Sequence, residues 1–375
     1  MKKALAEPSA PVDSPLDRRE LAEVERAFAE LRSGRPVRFV PLSGPSFLVF
    51  ASDTLDSAAL AAATAQGKGR SDVGARLIVT ATRARHLGLA ATKGEATALC
   101  ARNLGLGDIA QLADPTRQRQ RAVDQVPPVV EAPFCAGSIL DLLKSARLLP
   151  AALVSPAESA EGEALVVTEA AVRRFRDQAA RTLSRVAEAN VPLLGAEQTR
   201  IVAFRPADGG REHLAIIVGE PKPDAPLLAR LHSECFTGDL LRSLRCDCGD
   251  QLRGAIDLMS QEGGGVLLYL AQEGRGIGLV NKLRAYALQD HGADTLDANE
   301  QLGFDADERV YKPAAEMLRQ LGIKQIRLLT NNPLKVEALM ACGVDVVARV
   351  PHSFPANCHN AAYLHTKSER FGHFL

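Results

Sequence analysis

The sequence predicts a mixed α/β fold divided into two domains, and three observations support this. The chain has 375 residues, more than a single hydrophobic core usually serves. Stretches with the three- and four-residue apolar spacing of helices alternate with short β-type apolar runs, which favours helices packed on sheets. Hydrophobic residues make up 46% and charged residues 24% of the chain, as is typical of globular proteins.

Charge and cysteine content exclude several classes of protein. Lys+Arg and Asp+Glu number 45 each, so no global field attracts nucleic acid or an anionic membrane, and any anion site must be local. Aromatic residues are only 4% and Trp is absent, which argues against a nucleic-acid-binding module. An odd number of cysteines, no signal-peptide core and no bilayer-length apolar run predict a cytoplasmic protein without disulfides.

The first half begins with residues 1–16, a stretch rich in Pro, Ala and Ser that we expect to be a flexible tail. A helix is predicted next, because apolar residues recur every three or four positions from Leu21 to Leu31. Strands are predicted at 37–40 and 47–50, separated by turn-forming residues.

A polar stretch rich in turn formers at 155–162 separates the two predicted domains. We expect domains at 17–154 and 183–375, joined across 155–182 by a linker and a connecting helix. The apolar spacing predicts that this helix runs from about 169 to 189.

The second half alternates β-type runs with helical patterns. Strands are predicted at 201–204, 214–218, 227–231, 266–270 and 326–329. Helices are predicted after Cys248, at 279–289, at 314–321 and from Asn332 to Ala341. Asn332 is suited to cap the last helix, since Pro333 would occupy its first turn.

Three of the seven cysteines cluster in the stretch 230–249. Cys246 and Cys248 flank one residue, and ten residues separate Cys235 from Cys246. A turn after the preceding strand would bring three thiolates to one metal ion, and three sulfurs suit zinc. Without an obvious fourth ligand, a position stays open to water, which indicates catalysis. The alternative is that these are ordinary buried cysteines.

Four further sites at element junctions carry residues that a nucleotide needs. The loop 272–278 has glycines that allow close approach of a phosphate to the backbone, although it lacks the ending of a phosphate-binding loop. At 330–335 a strand meets a helix N-terminus with Lys335 just inside. The third site is the charged segment 305–309, which taken alone fits a solvated turn. The fourth is Tyr286, which taken alone fits a half-buried tyrosine of a helix.

Taken together, these features closely resemble the GTP cyclohydrolase II family, which opens riboflavin biosynthesis. The resemblance covers 184–375, about half of the chain, and rests on seven motifs. These are His232-Ser-Glu-Cys235, Leu244-Arg-Cys-Asp-Cys-Gly249, Gln272-Glu-Gly-Arg275, Lys282-Leu-Arg-Ala-Tyr-Ala-Leu-Gln-Asp290, Gln301-Leu-Gly-Phe304, Asp307-Glu-Arg309 and Leu329-Thr-Asn-Asn-Pro333. The chain departs from the family at 193–198 and 353–358, which bears on subunit contacts more than on chemistry.

The resemblance implies a GTP cyclohydrolase II-like domain with a mixed sheet and flanking helices, in a homodimer. It implies one zinc ion per subunit, bound by Cys235, Cys246 and Cys248. It also implies a set of residues that contact GTP. These are Arg230, Leu231, His232, Ser233, Glu234, Gln251, Glu273, Gly274, Arg275, Thr295, Thr330 and Lys335.

The implied reaction is zinc-dependent hydrolysis of GTP, with Mg²⁺ on the triphosphate. It opens the imidazole ring of guanine and releases formate and pyrophosphate, giving 2,5-diamino-6-ribosylamino-pyrimidinone 5'-phosphate. In the family pattern Asp307 is the proton acceptor, Arg309 the proposed nucleophile and Tyr286 a residue near the metal. Because a guanidinium with a pKa above about 12 is a poor nucleophile, a charge clamp on pyrophosphate is the simpler role for Arg309.

Two alternatives remain for the second half. One is a cyclohydrolase that retains the formyl group, against which the presence of Tyr286 argues. The other is an inactive zinc- and nucleotide-binding regulator, against which the complete set of Asp307, Arg309 and Tyr286 argues.

The first half resembles in part the dihydroxybutanone phosphate synthase domain that is fused to a cyclohydrolase in many bacteria. The likeness lies in 29–37, 112–115 and 142–151. That family has an acidic loop after its first strand that binds magnesium and sugar phosphate, whereas 41–47 contains no carboxylate here. The resemblance therefore implies a degenerate, non-catalytic domain that serves packing or dimer support.

Overall fold

The computed structural model describes residues 18–65, 74–89, 94–117, 126–157, 164–222 and 225–355. The predicted tail at 1–16 and the end of the range of the family resemblance, 356–375, lie outside these ranges. The chain forms two compact units. The first comprises Met1–Ala179, Arg284–Leu288 and Asp297–Ala306, and the second comprises Ala180–Leu283, Gln289–Leu296 and Asp307–Leu375. No helix in the described ranges combines the length and the apolar character of a membrane-spanning segment.

The first unit contains a seven-stranded sheet. Its strands are β1 (Val37–Val40), β2 (Phe47–Ala51), β3 (Arg76–Thr80), β4 (Ala96–Cys100), β5 (Val129–Val130), β6 (Ala151–Pro156) and β7 (Leu165–Thr168). They lie in the order β5-β4-β3-β6-β2-β1-β7, and neighbours are antiparallel except for the parallel pair β1 and β7. The predicted strands at 37–40 and 47–50 are confirmed as a hairpin that pairs Val37 with Val49.

Helices cover both faces of this sheet. They are α1 (Arg18–Arg32), α2 (Ser57–Ala65), α3 (Ala81–His86), α4 (Leu106–Ala113), α5 (Ala136–Ser145) and α6 (Glu169–Gln178). Because successive strand residues face opposite sides, Val49 and Ile78 pack in one cluster with α1, α5 and α6, while Phe50 and Leu77 pack in another with α2, α3 and α4. Each face of the sheet therefore has its own core.

The second unit contains another seven-stranded sheet. Its strands are β8 (Ser184–Asn190), β9 (Thr199–Arg205), β10 (His213–Gly219), β11 (Leu227–Ser233), β12 (Gly264–Leu270), β13 (Gln325–Leu329) and β14 (Asp345–Val350). Their order is β14-β13-β11-β12-β10-β9-β8. The four strands from β14 to β12 are parallel and the rest pair antiparallel, so four carboxyl ends lie at one edge.

The helices of the second half are α7 (Cys248–Gln261), α8 (Leu279–Asp290), α9 (Thr295–Gln301), α10 (Lys312–Gln320) and α11 (Pro333–Ala341). Met259 of α7 packs with Leu267 on one face of the sheet, and α10 and α11 pack with Leu268 on the other. The predicted cap of α11 is confirmed, since the Asn332 side chain accepts a hydrogen bond from the Leu334 N–H at 2.9 Å. The sheet and helices confirm the predicted mixed α/β class.

One predicted element is wrong over half its length. The helix expected from 169 to 189 ends at Gln178, and Ser184–Asn190 is the edge strand β8, paired with β9. All seven residues of β8 are exposed, so no apolar face holds a helix there, and pairing with β9 decides the conformation. Within the range predicted as a linker, Leu165–Thr168 joins the first sheet and α6 packs in its core.

Candidate functional site

Three neighbouring parallel strands of the second unit end at one edge of the sheet. β11 ends at Ser233, β12 at Leu270 and β13 at Leu329. The segments that follow them contain the cysteine stretch, the Gly-rich loop and the Thr330 loop, which the sequence singled out separately. Ligands in open α/β sheets commonly bind outside the carboxyl ends of the strands. The topology thus brings the candidate loops together.

The three cysteines form a compact sulfur cluster. Their Sγ atoms all lie within 4.8 Å of one another, and those of Cys235 and Cys246 are 3.8 Å apart. Cys235 follows β11, and Cys248 begins α7. Two sulfurs that each lie about 2.3 Å from a tetrahedral zinc ion are about 3.8 Å apart. The spacing therefore fits a metal ion bound by all three thiolates.

The turn Phe236–Leu240 brings its backbone close to this cluster at Gly238. The Gly238 N–H donates to the Cys235 Sγ at 3.3 Å. A Cβ at this position would lie 2.7 Å from the Cys246 Sγ and 3.0 Å from the Cys235 Sγ. Only glycine leaves room for the chain to cross the sulfurs.

The protonation of the sulfurs is linked. Hydrogen bonds from Cys246 and Cys248, together with the Lys282 ammonium, hold the pKa of Cys235 well below the usual thiol range. The same hydrogen bonds, with burial, raise the pKa of Cys246 to about 11 and that of Cys248 well above its usual value. Two of the three thiols thus resist ionisation beside the Cys235 thiolate, and a bound cation would compensate the charge of all three as thiolates.

A buried lysine and a buried glutamate lie beside the cluster. The Nζ of Lys282 is 3.0 Å from the Cys235 Sγ and 2.8 Å from the Glu273 Oε1. The other carboxylate oxygen of Glu273 accepts a hydrogen bond from the Phe236 N–H at 2.7 Å. Both side chains are thereby fixed relative to the first cysteine.

Asp239 is a second buried carboxylate that several groups share. It lies 3.0 Å from the Nε2 of His232, and it accepts hydrogen bonds from the Tyr269 hydroxyl at 2.9 Å and the Cys235 N–H at 3.0 Å. Burial lowers the pKa of His232 despite this carboxylate, and burial with the charge of Asp239 raises the pKa of Tyr269. The predicted site residue His232 is therefore oriented by Asp239.

Arg230 and Gln251, both predicted to contact GTP, bind each other. The Arg230 guanidinium bonds to the Gln251 side chain and donates to the Leu329 carbonyl at 2.8 Å. Burial lowers the pKa of Arg230 to about 10. The Nε2 of His352 lies 2.8 Å from the Gln251 carbonyl. This network connects the end of β11 to α7.

The Gly-rich loop after β12 is tied to the segment that carries Asp307. The Gln272 side chain donates to the Val310 carbonyl at 2.9 Å and accepts from the Val310 N–H at 2.8 Å. Gly274 and Arg275 have φ values of 64° and 61°, a region that non-glycine residues rarely adopt. Such strained backbone persists where the surroundings hold it, and it is common at functional sites.

Asp307 and Arg309 form an ion pair in that segment. The Asp307 carboxylate accepts from the Arg309 N–H at 3.0 Å and from its Nε at 2.8 Å. Burial opposes ionisation of Asp307, but these bonds and the charge of Arg309 outweigh it and hold the pKa of Asp307 below its usual value. The Arg309 guanidinium also lies 5.8 Å above the centre of the Tyr311 ring.

The loop after β13 holds Thr330 and Lys335. The Thr330 hydroxyl accepts from the Asn332 N–H at 3.1 Å. The Lys335 Nζ is buried and donates to the carbonyl of Leu231, another predicted contact, at 3.3 Å. Lys335 therefore bridges α11 and β11.

The remaining predicted site residues lie as follows. Ser233 is the last residue of β11, and the Glu234 carboxylate pairs with Arg211 at 3.0 Å. Thr295 begins α9, where its hydroxyl accepts from the Gln289 side chain at 3.3 Å. Tyr286 lies on α8, four residues after Lys282, in a segment that belongs to the first unit.

Sequence reasoning gave no role to Lys282, Asp239 or Tyr269. Lys282 stood within a recognised motif, and its position one helical turn before Tyr286 was the available signal. Asp239 and Tyr269 lie in ordinary turn and strand patterns, so no spacing distinguished them.

Comparisons with known proteins agree on one family for the second half. The GTP cyclohydrolase II family model matches residues 184–351. A protein from Azospirillum brasilense named GTP cyclohydrolase-2 is 52% identical over 98% of this chain and 98% of its own. A protein of the same name from Escherichia coli is 52% identical, over 52% of this chain and 98% of its own.

Among solved structures, a two-domain 3,4-dihydroxy-2-butanone 4-phosphate synthase from A. baumannii aligns with 87% of this chain and 99% of its own. The sequence identity is 17% and the TM-score is 0.31.

Proposed function

The chain belongs to the GTP cyclohydrolase II family, and on that premise we propose that it hydrolyses GTP with release of formate and pyrophosphate. The imidazole ring of guanine opens, and the product is 2,5-diamino-6-ribosylamino-pyrimidinone 5'-phosphate, at the first step of riboflavin biosynthesis. The observation that carries the proposal is the cluster of three cysteine sulfurs at the carboxyl end of β11.

Cys235, Cys246 and Cys248 would hold one zinc ion per subunit. All three donors are sulfur, which favours a soft or borderline cation over magnesium or calcium. The 3.8 Å separation of two of the sulfurs supports a tetrahedral ion, and three protein ligands leave a fourth position for water or substrate. When bound, zinc supplies the Lewis acidity that activates water for attack on the ring carbon.

The carboxyl edge of the sheet would receive the nucleotide. Arg275, Arg309 and Lys335 supply positive charge for the triphosphate, on which Mg²⁺ screens the remaining charge. Arg275 and Arg309 lie in segments joined by a hydrogen bond from the Glu308 N–H to the Arg275 carbonyl at 3.2 Å. The other proposed contacts are Arg230, Leu231, His232, Ser233, Glu234, Gln251, Glu273, Gly274, Thr295 and Thr330.

Asp307 is proposed as the proton acceptor and Arg309 as a charge clamp on the departing pyrophosphate. The lowered pKa of Asp307 keeps its carboxylate ionised at neutral pH. A guanidinium paired with that carboxylate stays protonated and therefore offers no lone pair for attack. This supports the clamp over a covalent phosphoryl intermediate on Arg309.

Rapid-quench experiments distinguish these two roles of Arg309. The clamp predicts that no phosphorylated protein forms in the wild type and that Arg309→Lys keeps part of the activity. A phosphorylated species trapped in the wild type and lost in Arg309→Lys would favour the covalent role instead.

Tyr286 is proposed to orient the ring-opened intermediate as a hydrogen-bond donor. The domain at 17–154 is proposed as a non-catalytic relative of dihydroxybutanone phosphate synthases that supports packing in a cytoplasmic homodimer. The absence of carboxylates at 41–47 supports this role. The relative from Escherichia coli supports it too, since 98% of that protein aligns with only 52% of this chain.

Incubation of the purified chain with GTP and Mg²⁺, with and without a zinc chelator, tests the main proposal. We expect formate, pyrophosphate and the deformylated pyrimidine in the zinc-loaded sample, and none of them after chelation. A heavier product that retains the formyl group would indicate the shortened reaction. Binding of GTP without formate release would indicate a regulator and overturn the proposal.

A further inference from the structure

Lys282 places a buried ammonium group against the cysteine cluster. Its Nζ donates to the Cys235 Sγ at 3.0 Å, the Thr237 Oγ1 at 2.9 Å and the Glu273 Oε1 at 2.8 Å. The residue is 8% exposed, and each of the three N–H donors of an ammonium can reach one of these acceptors. An ammonium has no lone pair, so Lys282 is the donor in all three bonds, and the bonds to Thr237 and Glu273 fix its orientation toward the sulfur.

Glu273 holds this ammonium and also the backbone next to the cysteine. One carboxylate oxygen accepts from Lys282, and the other accepts from the Phe236 N–H at 2.7 Å. Glu273 is 3% exposed. Because both oxygens are engaged within the metal site, the proposed contact of Glu273 with GTP falls to its backbone rather than to its carboxylate.

Charge balance gives the lysine a role at this position. Three thiolates and one divalent cation leave one negative charge, the Glu273 carboxylate beside them adds a second, and burial penalises charges that are not compensated. Lys282 supplies a positive charge that contacts both the Cys235 thiolate and this carboxylate, and its loss would leave two buried negative charges. Hydrogen bonds to an ionised acceptor are roughly twice as strong as neutral ones, and groups that bond to metal ligands tune the affinity of the site.

We propose that Lys282 is a positioning residue of the metal site, whose ammonium, held by Glu273 and Thr237, orients the Cys235 sulfur and retains the zinc ion. The inference rests on the proposed metal function of the cluster. It assigns Lys282 to metal retention and not to contact with the nucleotide.

Zinc binding by full-length variants tests this role without using GTP. Lys282→Met removes the charge at similar length, Lys282→Arg restores a cation, and Lys324→Met changes an exposed lysine as the matched control. Zinc affinity is measured by competition with a chromophoric chelator. The thiolate-to-cobalt absorption band of the cobalt-loaded chain reports on the sulfur ligands themselves.

We expect Lys282→Met to bind zinc about 10- to 100-fold more weakly, as is typical when an outer partner of a metal ligand is lost. Its cobalt band should shift, Lys282→Arg should recover part of the affinity, and Lys324→Met should match the wild type. Wild-type zinc affinity with an unchanged cobalt band in Lys282→Met would overturn the proposal.

If Lys282→Met does not fold, Thr237→Val tests the role of the ammonium in zinc retention instead. It removes one acceptor of the ammonium while keeping the shape of the side chain, so we expect a smaller but measurable loss of zinc affinity. Wild-type affinity in that variant would then overturn the proposal. A chain that retains zinc through Lys282 yet releases no formate would refute the proposed function alone.

Discussion

The two units use buried polar groups in different ways. In the first, the carboxylate of Glu169, which is 0% exposed, accepts hydrogen bonds from Ser138, Arg173 and the Leu42 N–H, and so joins parts of the scaffold. In the second, Glu273 is similarly buried, but its partners include a lysine that contacts a thiol. Burial of a charged group alone therefore does not identify a functional site. The site is identified by the reactive group, here a thiol, that the partner of the charged group contacts.

Strand direction explains why the second sheet gathers such a site among the residues that the structure describes. Within the described residues, the first sheet has a single parallel pair, β1 with β7. The carboxyl ends of its other neighbouring strands therefore lie at opposite ends of the strands, and their loops do not meet. The second sheet has four adjacent parallel strands, and the loops after three of them carry the cysteines, the Gly-rich turn and the Thr330 loop. Parallel strands supply several loops at one edge, where ligands are commonly bound.

Removal of a single sulfur should have the largest effect on zinc binding and activity. Cys246→Ser should abolish stable zinc binding and lower formate release by on the order of 10³-fold, more than the loss of an outer-shell partner causes. Metal content of the purified variant and a formate assay measure both effects. Cys342→Ser is the matched control, because this half-exposed cysteine follows α11 outside the sulfur cluster.

Retention of zinc and activity by Cys246→Ser, with their loss in Cys342→Ser, would contradict the assignment of the functional centre to the sulfur cluster. The functional centre of the second unit would then lie elsewhere than at the end of β11.

Two glycine substitutions, one in each unit, test whether the sulfur cluster requires a glycine backbone beside it, with a smaller expected effect. In Gly238→Ala the new Cβ would lie 2.7 Å from the Cys246 Sγ, so either the backbone or the sulfur must move. We expect a loss of about 1–3 kcal/mol in the free energy of unfolding of the zinc-loaded chain, together with weaker zinc binding. Thermal unfolding with and without zinc separates the two effects.

Gly107→Ala in α4 of the first unit is the matched control. A Cβ there meets nothing within 4 Å, and alanine favours a helix over glycine by about 1 kcal/mol. Equal stability or a gain is expected, with zinc affinity unchanged. Equal losses in both variants would mean that the sulfur cluster places no special demand on Gly238.

Much of the fold and the clustering of the three cysteines could be predicted because their signals are local. The α11 cap depends on Asn332 and Pro333, which are adjacent in sequence, and the β9–β10 hairpin follows from two apolar runs around a turn. The cysteines lie within fourteen residues of chain, so a single turn brings them together. The family motifs then assigned loops that are distant in sequence to one site.

The groups that surround the three cysteines could not be predicted, because their contacts span long stretches of chain. Lys282 lies 47 residues from Cys235, and Glu273 lies 37 residues from Phe236. β8 was mistaken for a helix because its residues suit a helix locally, while its conformation depends on pairing with β9. Spacing within a segment carries no information about such partners.

Glu169→Gln in the first unit should leave the chemistry unchanged and reduce stability alone. An amide offers one oxygen where the carboxylate offers two, so it cannot accept from both the Leu42 N–H and the pair of Ser138 and Arg173. At least one donor of this part-buried network loses its acceptor, at a cost of about 1 kcal/mol, the low end of the range for buried donors. A lower melting temperature with wild-type zinc affinity and formate release is the expected result, and Glu30→Gln, in an ion pair on the surface, should change the melting temperature less. Loss of formate release in a folded Glu169→Gln chain would show that the first unit acts on the chemistry of the second.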